Sequence, residues 1–198
     1  GTLFPYTTLF RSHAEDFWEL FQLSKTLTFL SETGINEITS RNIAISTISG
    51  AAGAVMSDWA EQFQLSIPKF TESTWHKLSE LFPPWMPPNK FALIDYWPAV
   101  EHARGDYEQV AMESADIALS DPNIQVLFLT VYYNATDWIV NWRKLTNIIQ
   151  KHRKPIFIFM FGKYNEVLEA EKIFQEIQIP VFYSESEMIR IFAKICKS

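Results

Sequence analysis

A run of small residues, SGAAG at positions 49–53, follows the first strongly apolar segment of the chain. The segment before it, residues 42–48, is rich in isoleucine and threonine, which is typical of a buried parallel strand. The segment after it, residues 55–63, places apolar side chains at helical spacing. A strand, a turn of small residues and a helix N-terminus together present unpaired N–H groups and the positive end of a helix dipole. This combination favours an anion.

The same turn has a second interpretation, which the motif alone favours. Small side chains also allow the start of a helix to pack closely against a neighbouring strand. Ser49, Gly50, Ala51 and Gly53 are therefore candidate binding residues, and close packing is the competing explanation for them.

Composition and charge exclude several classes of function. The chain of 198 residues is long enough for one well-buried domain. Its formal net charge of -6 gives no electrostatic reason to bind nucleic acid. No apolar run is long enough to span a bilayer, and the single cysteine suits a reducing compartment, so we expect a cytoplasmic protein that binds neither nucleic acid nor membrane. No spacing of histidine, cysteine and carboxylates predicts a metal site, and no catalytic triad is indicated.

The pattern of the first residues predicts a different origin for them than for the rest of the chain. Residues 2–12, TLFPYTTLFRS, read like the in-frame translation of a short-read sequencing adapter. We therefore predict three parts. Residues 1–12 are an adapter-derived tail, residues 13–40 are a helix and linker from a preceding domain, and residues 41–198 are the main domain.

Strand and helix patterns alternate through the main domain. After the segment at 42–48, strands are predicted at 91–95, 125–131, 155–161 and 181–183, with a short edge strand at 65–70. Helices are predicted at 13–30, 71–82, 106–120 and 165–177. A further helix is expected to begin at an Asn134 N-cap and to carry Trp138, Trp142, Leu145 and Ile149, and the closing helix follows a Ser184–Glu187 capping box. The proline-rich residues 83–88 form a stiff connector.

Short connections between alternating strands and helices predict an α/β fold with a parallel sheet covered on both faces. About five strands favour a flavodoxin-like three-layer sandwich, in which ligands bind at the carboxyl ends of the strands.

Several of these segments, in this order, resemble the NDP-forming acyl-CoA synthetases, the ATP-grasp relatives of succinyl-CoA synthetase. ISGAAG at 48–53 with Asp58 looks like the glycine-rich turn of that family and the aspartate that follows it. IDYWPA at 94–99 is similar to the family's Val-Asp-Ile-Trp-Pro-Ala segment, and SDPN at 120–123 to its aspartate-containing turn. The resemblance covers roughly residues 42–195. The closing stretch, from Lys154 through Gly162 to the last helix, is also similar to the C-terminal domain of the succinyl-CoA synthetase β subunit.

The resemblance implies a fragment of an acid-CoA ligase. In the family, ATP or GTP phosphorylates a histidine, an acyl phosphate forms and CoA displaces the phosphate. This chain resembles the flavodoxin-like ligase-CoA domain that faces the phosphohistidine. The resemblance implies cofactor-binding roles for Ser49, Gly50, Ala51, Gly53 and Asp95. It also implies that Asn134, Ala135 and Thr136 supply backbone N–H donors. For Asp95, capping a neighbouring loop is an equally supported alternative to a binding role. For Asn134, an ordinary N-cap of the helix is an equally supported alternative.

The same resemblance implies which partners and cofactors the chain would need. The partners would be a histidine-bearing CoA-ligase domain and an ATP-grasp domain, either fused to this chain or on a separate subunit. The parent enzyme would use CoA, either ATP or GTP, and Mg. None of the four histidines has the Ser-His-Thr-Gly context of the nucleophile. We therefore predict that this fragment carries no catalytic residue, binds no cofactor by itself and is inactive alone.

Two hypotheses remain from the sequence. The chain departs from the family pattern at Ala92 and Leu93, where asparagine and proline are usual, and at Ala51-Ala52, where glycines are. The first hypothesis is a domain of an acyl-CoA synthetase. The alternative is a noncatalytic flavodoxin-like module that docks to partner domains or binds a small anion.

Overall fold

Five parallel strands form one sheet in the computed structural model, which describes residues 14–133 and 140–196. Their bounds are β1 Ile43–Thr47, β2 Leu93–Asp95, β3 Val126–Tyr133, β4 Ile156–Gly162 and β5 Val181–Phe182. The strand order is β2-β1-β3-β4-β5, and each neighbouring pair is parallel. This order is the flavodoxin-like one, so the predicted fold class is confirmed.

The central strands are apolar because helices cover the sheet on both faces. All five residues of β1 are buried, as are the first six of β3. On one face Phe128 of β3 contacts Phe157 of β4 and Phe192 edge to face, with ring centroids 5.8 Å and 5.3 Å away. Such contacts stabilise the core beyond the burial of area alone.

Eight α-helices lie within the described residues. Their bounds are α1 Phe17–Glu32, α2 Gly50–Gln62, α3 Glu72–Ser79, α4 Trp97–His102, α5 Tyr107–Ser120, α6 Leu145–His152, α7 Tyr164–Glu176 and α8 Glu185–Ile195. The helix α8 contacts both α1 and α2, while α5 contacts α3 and α6. These contacts separate the helices into two groups, which agrees with a sheet covered on both faces.

The capping box predicted for the last helix is half formed. Ser184 Oγ accepts a hydrogen bond from the backbone N–H of Glu187 at 3.4 Å, which confirms the predicted N-cap. The Glu187 carboxylate accepts a hydrogen bond from Trp18 Nε1 of α1 at 2.7 Å. The Glu187 side chain therefore links α1 to α8 through this hydrogen bond.

Two predicted elements are wrong in the described residues. Residues 65–70 form only isolated bridges, between Asn42 and Ser66 and between Lys69 and Phe91, instead of an edge strand. This agrees with the presence in that segment of Pro68, which has no N–H to donate.

The helix predicted from Asn134 through Ile149 is also wrong where it can be described. Residues 140–141 are not helical, residues 142–144 form a 3-10 turn, and α6 begins only at Leu145. The carboxylate of Glu108 on α5 holds this segment, since it accepts from the backbone N–H of Asn141 at 2.6 Å and pairs with Lys144. The predicted N-cap at Asn134 lies outside the described residues.

Helix α1 is attached to α8 through a buried carboxylate. Glu19 is 1% exposed, and its oxygens lie 2.8 Å from Lys194 Nζ and 3.3 Å from Arg190 Nε. Burial alone would raise the pKa of Glu19, but the hydrogen bond and charge of Lys194, with the backbone of Glu15 and the charge of Arg190, outweigh it and lower that pKa.

The domain boundary near residue 40 stays a prediction. No helix in the described ranges is long and apolar enough to cross a membrane.

Candidate functional site

The turn after β1 is built by two hydroxyl side chains. Thr47 Oγ1 accepts from the backbone N–H of Ser49 at 3.1 Å and donates to the Ser49 carbonyl at 3.2 Å. Ser49 has an extended backbone and caps α2, with its Oγ 3.5 Å from the N–H of Ala52. The small residues after it form the first turn of the helix, whereas the sequence pattern suggested a loop there. A good N-cap followed by alanines explains why the helix starts this early.

The two glycines of this turn have different surroundings. A Cβ on the buried Gly53 would lie 3.0 Å from Leu93 Cδ1 and 3.3 Å from Thr47 Cγ2, so this glycine lets α2 pack tightly on the sheet. A Cβ on Gly50 would lie 3.2 Å from Asp95 Oδ2. The packing interpretation therefore describes Gly53 well, while Gly50 borders a carboxylate.

Asp95 stands at the carboxyl end of β2, directly beside Thr47 in the parallel register. Its Oδ1 accepts from the backbone N–H of Trp97 at 3.2 Å, at the start of α4. This is the local cap that the sequence offered as an alternative role. The same side chain reaches the first turn of α2, so the structure brings Asp95 and Gly50 together.

The N–H groups of Gly50 and Ala51 make no hydrogen bond to any described residue. Such groups at a helix N-terminus are donors for an anion or a carbonyl oxygen. Ala51 is exposed and Ser49 is half-buried, so both are reachable from solvent.

A pocket of about 200 Å³ opens beside this turn. It lies between β1, β2, the first turn of α2 and the proline-rich segment at 83–88. Its lining residues are Thr47, Gly50, Gly53, Phe82, Met86, Pro87, Pro88, Asn89, Leu93, Asp95 and Pro98. The sequence interpretation treated the proline-rich segment as a connector only. The signal that could have placed the proline-rich segment in the pocket wall is the apolar Met86, which lies among prolines just upstream of a strand.

The remaining candidates, Asn134, Ala135 and Thr136, lie outside the described residues, as does Asp137. The strand before them, β3, ends at Tyr133 between β1 and β4, at the same edge of the sheet as Asp95. Their predicted role as N–H donors stays a prediction.

The described residues contain no group of three or more histidine, cysteine or carboxylate side chains that could hold a metal ion. The single cysteine is not an activated nucleophile, because burial raises the pKa of Cys196 to about 12. His152 lies 2.7 Å from Asp116, at the end of α6 and away from the pocket.

Comparison with known proteins agrees with this class of fold. No protein-family model matches the chain. A protein from Pyrococcus horikoshii has a crystal structure that matches 92% of this chain and 40% of its own length, with a TM-score of 0.72 and 15% identity. The dinucleotide-forming acetyl-coenzyme A synthetase 1 of Candidatus Korarchaeum cryptofilum, in complex with phosphate and ADP, matches 92% of this chain and 37% of its own, with a TM-score of 0.72 and 19% identity.

One curated relative adds sequence similarity. An ADP-forming acetate–CoA ligase of Archaeoglobus fulgidus is 26% identical to this chain over 160 residues. The matched part covers 78% of this chain and 22% of the ligase. The resemblance to the NDP-forming acyl-CoA synthetases is thereby confirmed. The chain spans between 22% and 40% of the length of the relatives that it matches.

Proposed function

We propose that this chain is a flavodoxin-like domain of an NDP-forming acyl-CoA synthetase. The observation that carries the proposal is the similarity to an ADP-forming acetate–CoA ligase across 78% of the chain. The structural matches support the fold, and one of those proteins is an acetyl-coenzyme A synthetase bound to phosphate and ADP.

In this proposal the carboxyl edge of the sheet is the face that meets the phosphohistidine of a second domain. The support is local chemistry: Gly50 and Ala51 offer free N–H groups at the start of α2, and a helix N-terminus stabilises a phosphate. Asn134, Ala135 and Thr136 would add donors from the segment after β3. The parent enzyme would use CoA, ATP or GTP, and Mg, with a histidine-bearing domain and an ATP-grasp domain as partners.

The chain has no nucleophile of its own in this scheme. We therefore expect residues 14–196 alone to make no acyl-CoA from ATP, CoA and a short acid. Formation of a thioester by the purified chain, detected by mass spectrometry, would contradict the domain assignment.

The surrounding gene gives a second test. We expect a Ser-His-Thr-Gly-type segment in the same gene or its neighbour, together with an ATP-grasp domain. If the complete locus encodes neither, the noncatalytic docking or small-anion module replaces the ligase as the better account.

A further inference from the structure

Helix α1 exposes aromatic side chains and buries several polar ones. Glu19, Gln22 and Thr26 are among its buried residues, whereas Phe17 is 83% exposed and Phe21 is 51% exposed. A helix at the surface of a domain normally turns its apolar stripe toward the core. The aromatic rings of α1 therefore face water, where a partner that covered them would gain free energy.

Further aromatic residues extend this face across α8 to α2. Trp18 is 56% exposed, stacks on Phe21 with ring centroids 5.7 Å apart, and donates to the Glu187 carboxylate at 2.7 Å. Glu187 lines a groove between α2 and α8, and so do Trp59 and Phe63, whose rings stack at 6.1 Å. We call these five aromatic residues the aromatic surface: Phe17, Trp18, Phe21, Trp59 and Phe63.

The α1 part of the aromatic surface is large for a single protein chain. At about 200 Å² for each aromatic side chain, the exposed parts of Phe17, Trp18 and Phe21 amount to roughly 400 Å². A contiguous apolar patch of that size is among the largest on a typical monomer and often marks a site of interaction. The aromatic surface is therefore a candidate docking site, and its charges indicate what docks there.

The cations beside the aromatic surface are already paired, whereas a carboxylate at its centre is not. Arg190 Nε lies 3.3 Å from Glu19 Oε1, and Lys194 Nζ lies 2.8 Å from Glu19 Oε2. Glu187 forms no ion pair with any described cation, and it borders both Trp18 and the groove. Aromatic rings next to such a carboxylate attract an ammonium or guanidinium group, through the ring faces and through the negative charge.

The same charges disfavour two other occupants. A second copy of this chain would bring a net charge of -6 and another Glu187 to the interface, so like charges would meet. An anionic bilayer would be repelled for the same reason. A basic segment with apolar side chains complements both the rings and the carboxylate.

We propose that the aromatic surface docks a basic, amphipathic segment of a partner polypeptide. A Lys or Arg side chain of the segment meets Trp59 and Phe63 beside Glu187, and its apolar side chains cover Phe17 and Phe21. The proposal is independent of the ligase assignment, since no residue of the aromatic surface lines the pocket at the carboxyl edge.

The test uses two synthetic helical peptides of about 18 residues, long enough to form a helix when bound. Both place leucine at helical spacing, and the other positions are lysine in one peptide and glutamate in the other. Binding is followed through the indole N–H signals of Trp18 and Trp59 in the ¹⁵N-labelled chain. The lysine peptide shifts both signals and binds at least roughly tenfold more tightly than the glutamate peptide. Equal affinities, or no shift of either indole, would overturn the proposal.

The role of the carboxylate is tested with Glu187→Gln, which keeps an oxygen for the Trp18 indole. The affinity for the lysine peptide falls about fivefold. The control is Glu113→Gln on α5, an exposed glutamate that also accepts one side-chain hydrogen bond, from Gln109 Nε2 at 3.1 Å. This variant changes the net charge equally, and its affinity stays within about twofold of wild type. The same loss in both variants would reduce the binding to overall charge and contradict a defined site.

The role of the aromatic face is tested with Phe17→Ser, at a position too exposed to support the fold. The affinity for the lysine peptide falls about tenfold. Trp85→Ser is the control, because Trp85 is 77% exposed and belongs to the proline-rich segment. Its affinity stays within about twofold of wild type, and an equal loss in the two variants would mean that the peptide adheres to any exposed ring.

Self-association is the competing use of the same face. Light scattering of the chain alone should give the mass of a monomer at the concentrations of the titrations. A dimer that Phe17→Ser dissociates would assign the aromatic surface to a second copy and overturn the proposal. Because none of these measurements needs turnover, their failure is distinguishable from failure of the ligase proposal.

Discussion

Asp121 and Asp95 lie at opposite edges of the same sheet, and the protein surrounds them differently. Asp121 precedes β3 at the amino edge and is fully buried. Its carboxylate accepts from the backbone N–H of Thr71 at 2.7 Å, from Thr71 Oγ1 at 2.9 Å and from the N–H of Asn123 at 2.8 Å. Asp95 follows β2 at the carboxyl edge, is partly exposed, and accepts from the N–H of Trp97 at 3.2 Å.

The difference separates an edge whose polar groups are paired from an edge that keeps donors available. At the amino edge the ammonium group of Lys154 also has hydrogen-bond partners. Its Nζ donates to the carbonyls of Leu119 and Asp121 at 2.8 Å and 2.6 Å. At the carboxyl edge, no described residue accepts a hydrogen bond from the N–H groups of Gly50 and Ala51, and a pocket lies beside them. Fully paired polar groups stabilise a fold, whereas unpaired groups beside a cavity are what a ligand requires.

The largest expected effect comes from removing the amino-edge carboxylate. Asp121→Ala removes a buried charged acceptor from its three hydrogen bonds with Thr71 and Asn123 and should lower the free energy of unfolding by about 3 kcal/mol. Asp95→Ala loses one exposed cap and should cost less than about 1 kcal/mol. Urea unfolding of the two variants gives both values, and equal losses would break the contrast between the edges.

One glycine of the carboxyl edge should also be structural. Gly162 at the end of β4 has φ +154°, and a Cβ there would lie 2.5 Å from the Tyr133 carbonyl oxygen. Gly162→Ala should therefore lower the free energy of unfolding by about 2 kcal/mol. Thermal unfolding with Gly105→Ala as the control, where no heavy atom lies within 4 Å of the added Cβ but φ is also positive, separates steric contact from backbone strain. Equal losses would assign the effect to the backbone alone.

Acid should remove the stabilisation that Asp121 gives to the amino edge. Burial alone would raise the pKa of Asp121, but the hydrogen bonds from Thr71, Asn123 and Thr74 outweigh it, so its pKa lies below the ordinary value of 3.8. The unfolded chain thus takes up this proton more readily than the folded one. The stabilisation is complete above the ordinary pKa and is lost as the pH falls through the lower folded value.

The check is a pH series of urea unfolding midpoints from neutral pH down to acid. Wild type should lose more stability below the ordinary aspartate pKa than Asp121→Asn does, because the variant has no proton to bind there. Parallel curves for the two proteins would show that Asp121 does not supply the acid sensitivity. Glu19, Glu108, Asp116 and Glu171 also have lowered pKa values and contribute the loss that the variant retains.

The smallest effect on stability is expected at Gly50. An alanine at Gly50, the first residue of α2, gains at most the roughly 1 kcal/mol of helix propensity that applies in a helix interior. Its Cβ crowds Asp95 Oδ2 at 3.2 Å. The two terms nearly cancel, so the melting temperature of Gly50→Ala should stay close to that of wild type. A clear loss would mean that Asp95 is as fixed as Asp121, against the comparison of the two edges.

The sequence predicted the sheet well because its signals are local. The apolar runs that became β1, β3 and β4 are buried on both faces, and a strand of that kind is recognisable from its own residues. Ser184 predicted a helix start for the same reason, since an N-cap acts on a residue three positions on.

The site was predicted only in part, because its parts come from distant segments. The turn at Ser49 and Gly50 follows from local spacing, but the contact of Gly50 with Asp95 depends on the pairing of β1 with β2. The pocket wall at Met86 depends on how the proline-rich segment folds back over the sheet. The late start of α6 arises from the hold of Glu108 on Asn141, which no local pattern contains.

The central claim is that the carboxyl edge is the working face of an acyl-CoA synthetase. Its most direct test measures thioester formation from a carboxylic acid, ATP and CoA by the complete gene product. The variant is Gly50→Leu, which puts a side chain into the mouth of the pocket. Ala54→Leu, an exposed position one turn further along α2, is the matched control. We predict a loss in kcat/KM of roughly tenfold or more for Gly50→Leu, with wild-type stability, and no loss for Ala54→Leu. Full activity in a folded Gly50→Leu enzyme would contradict the account.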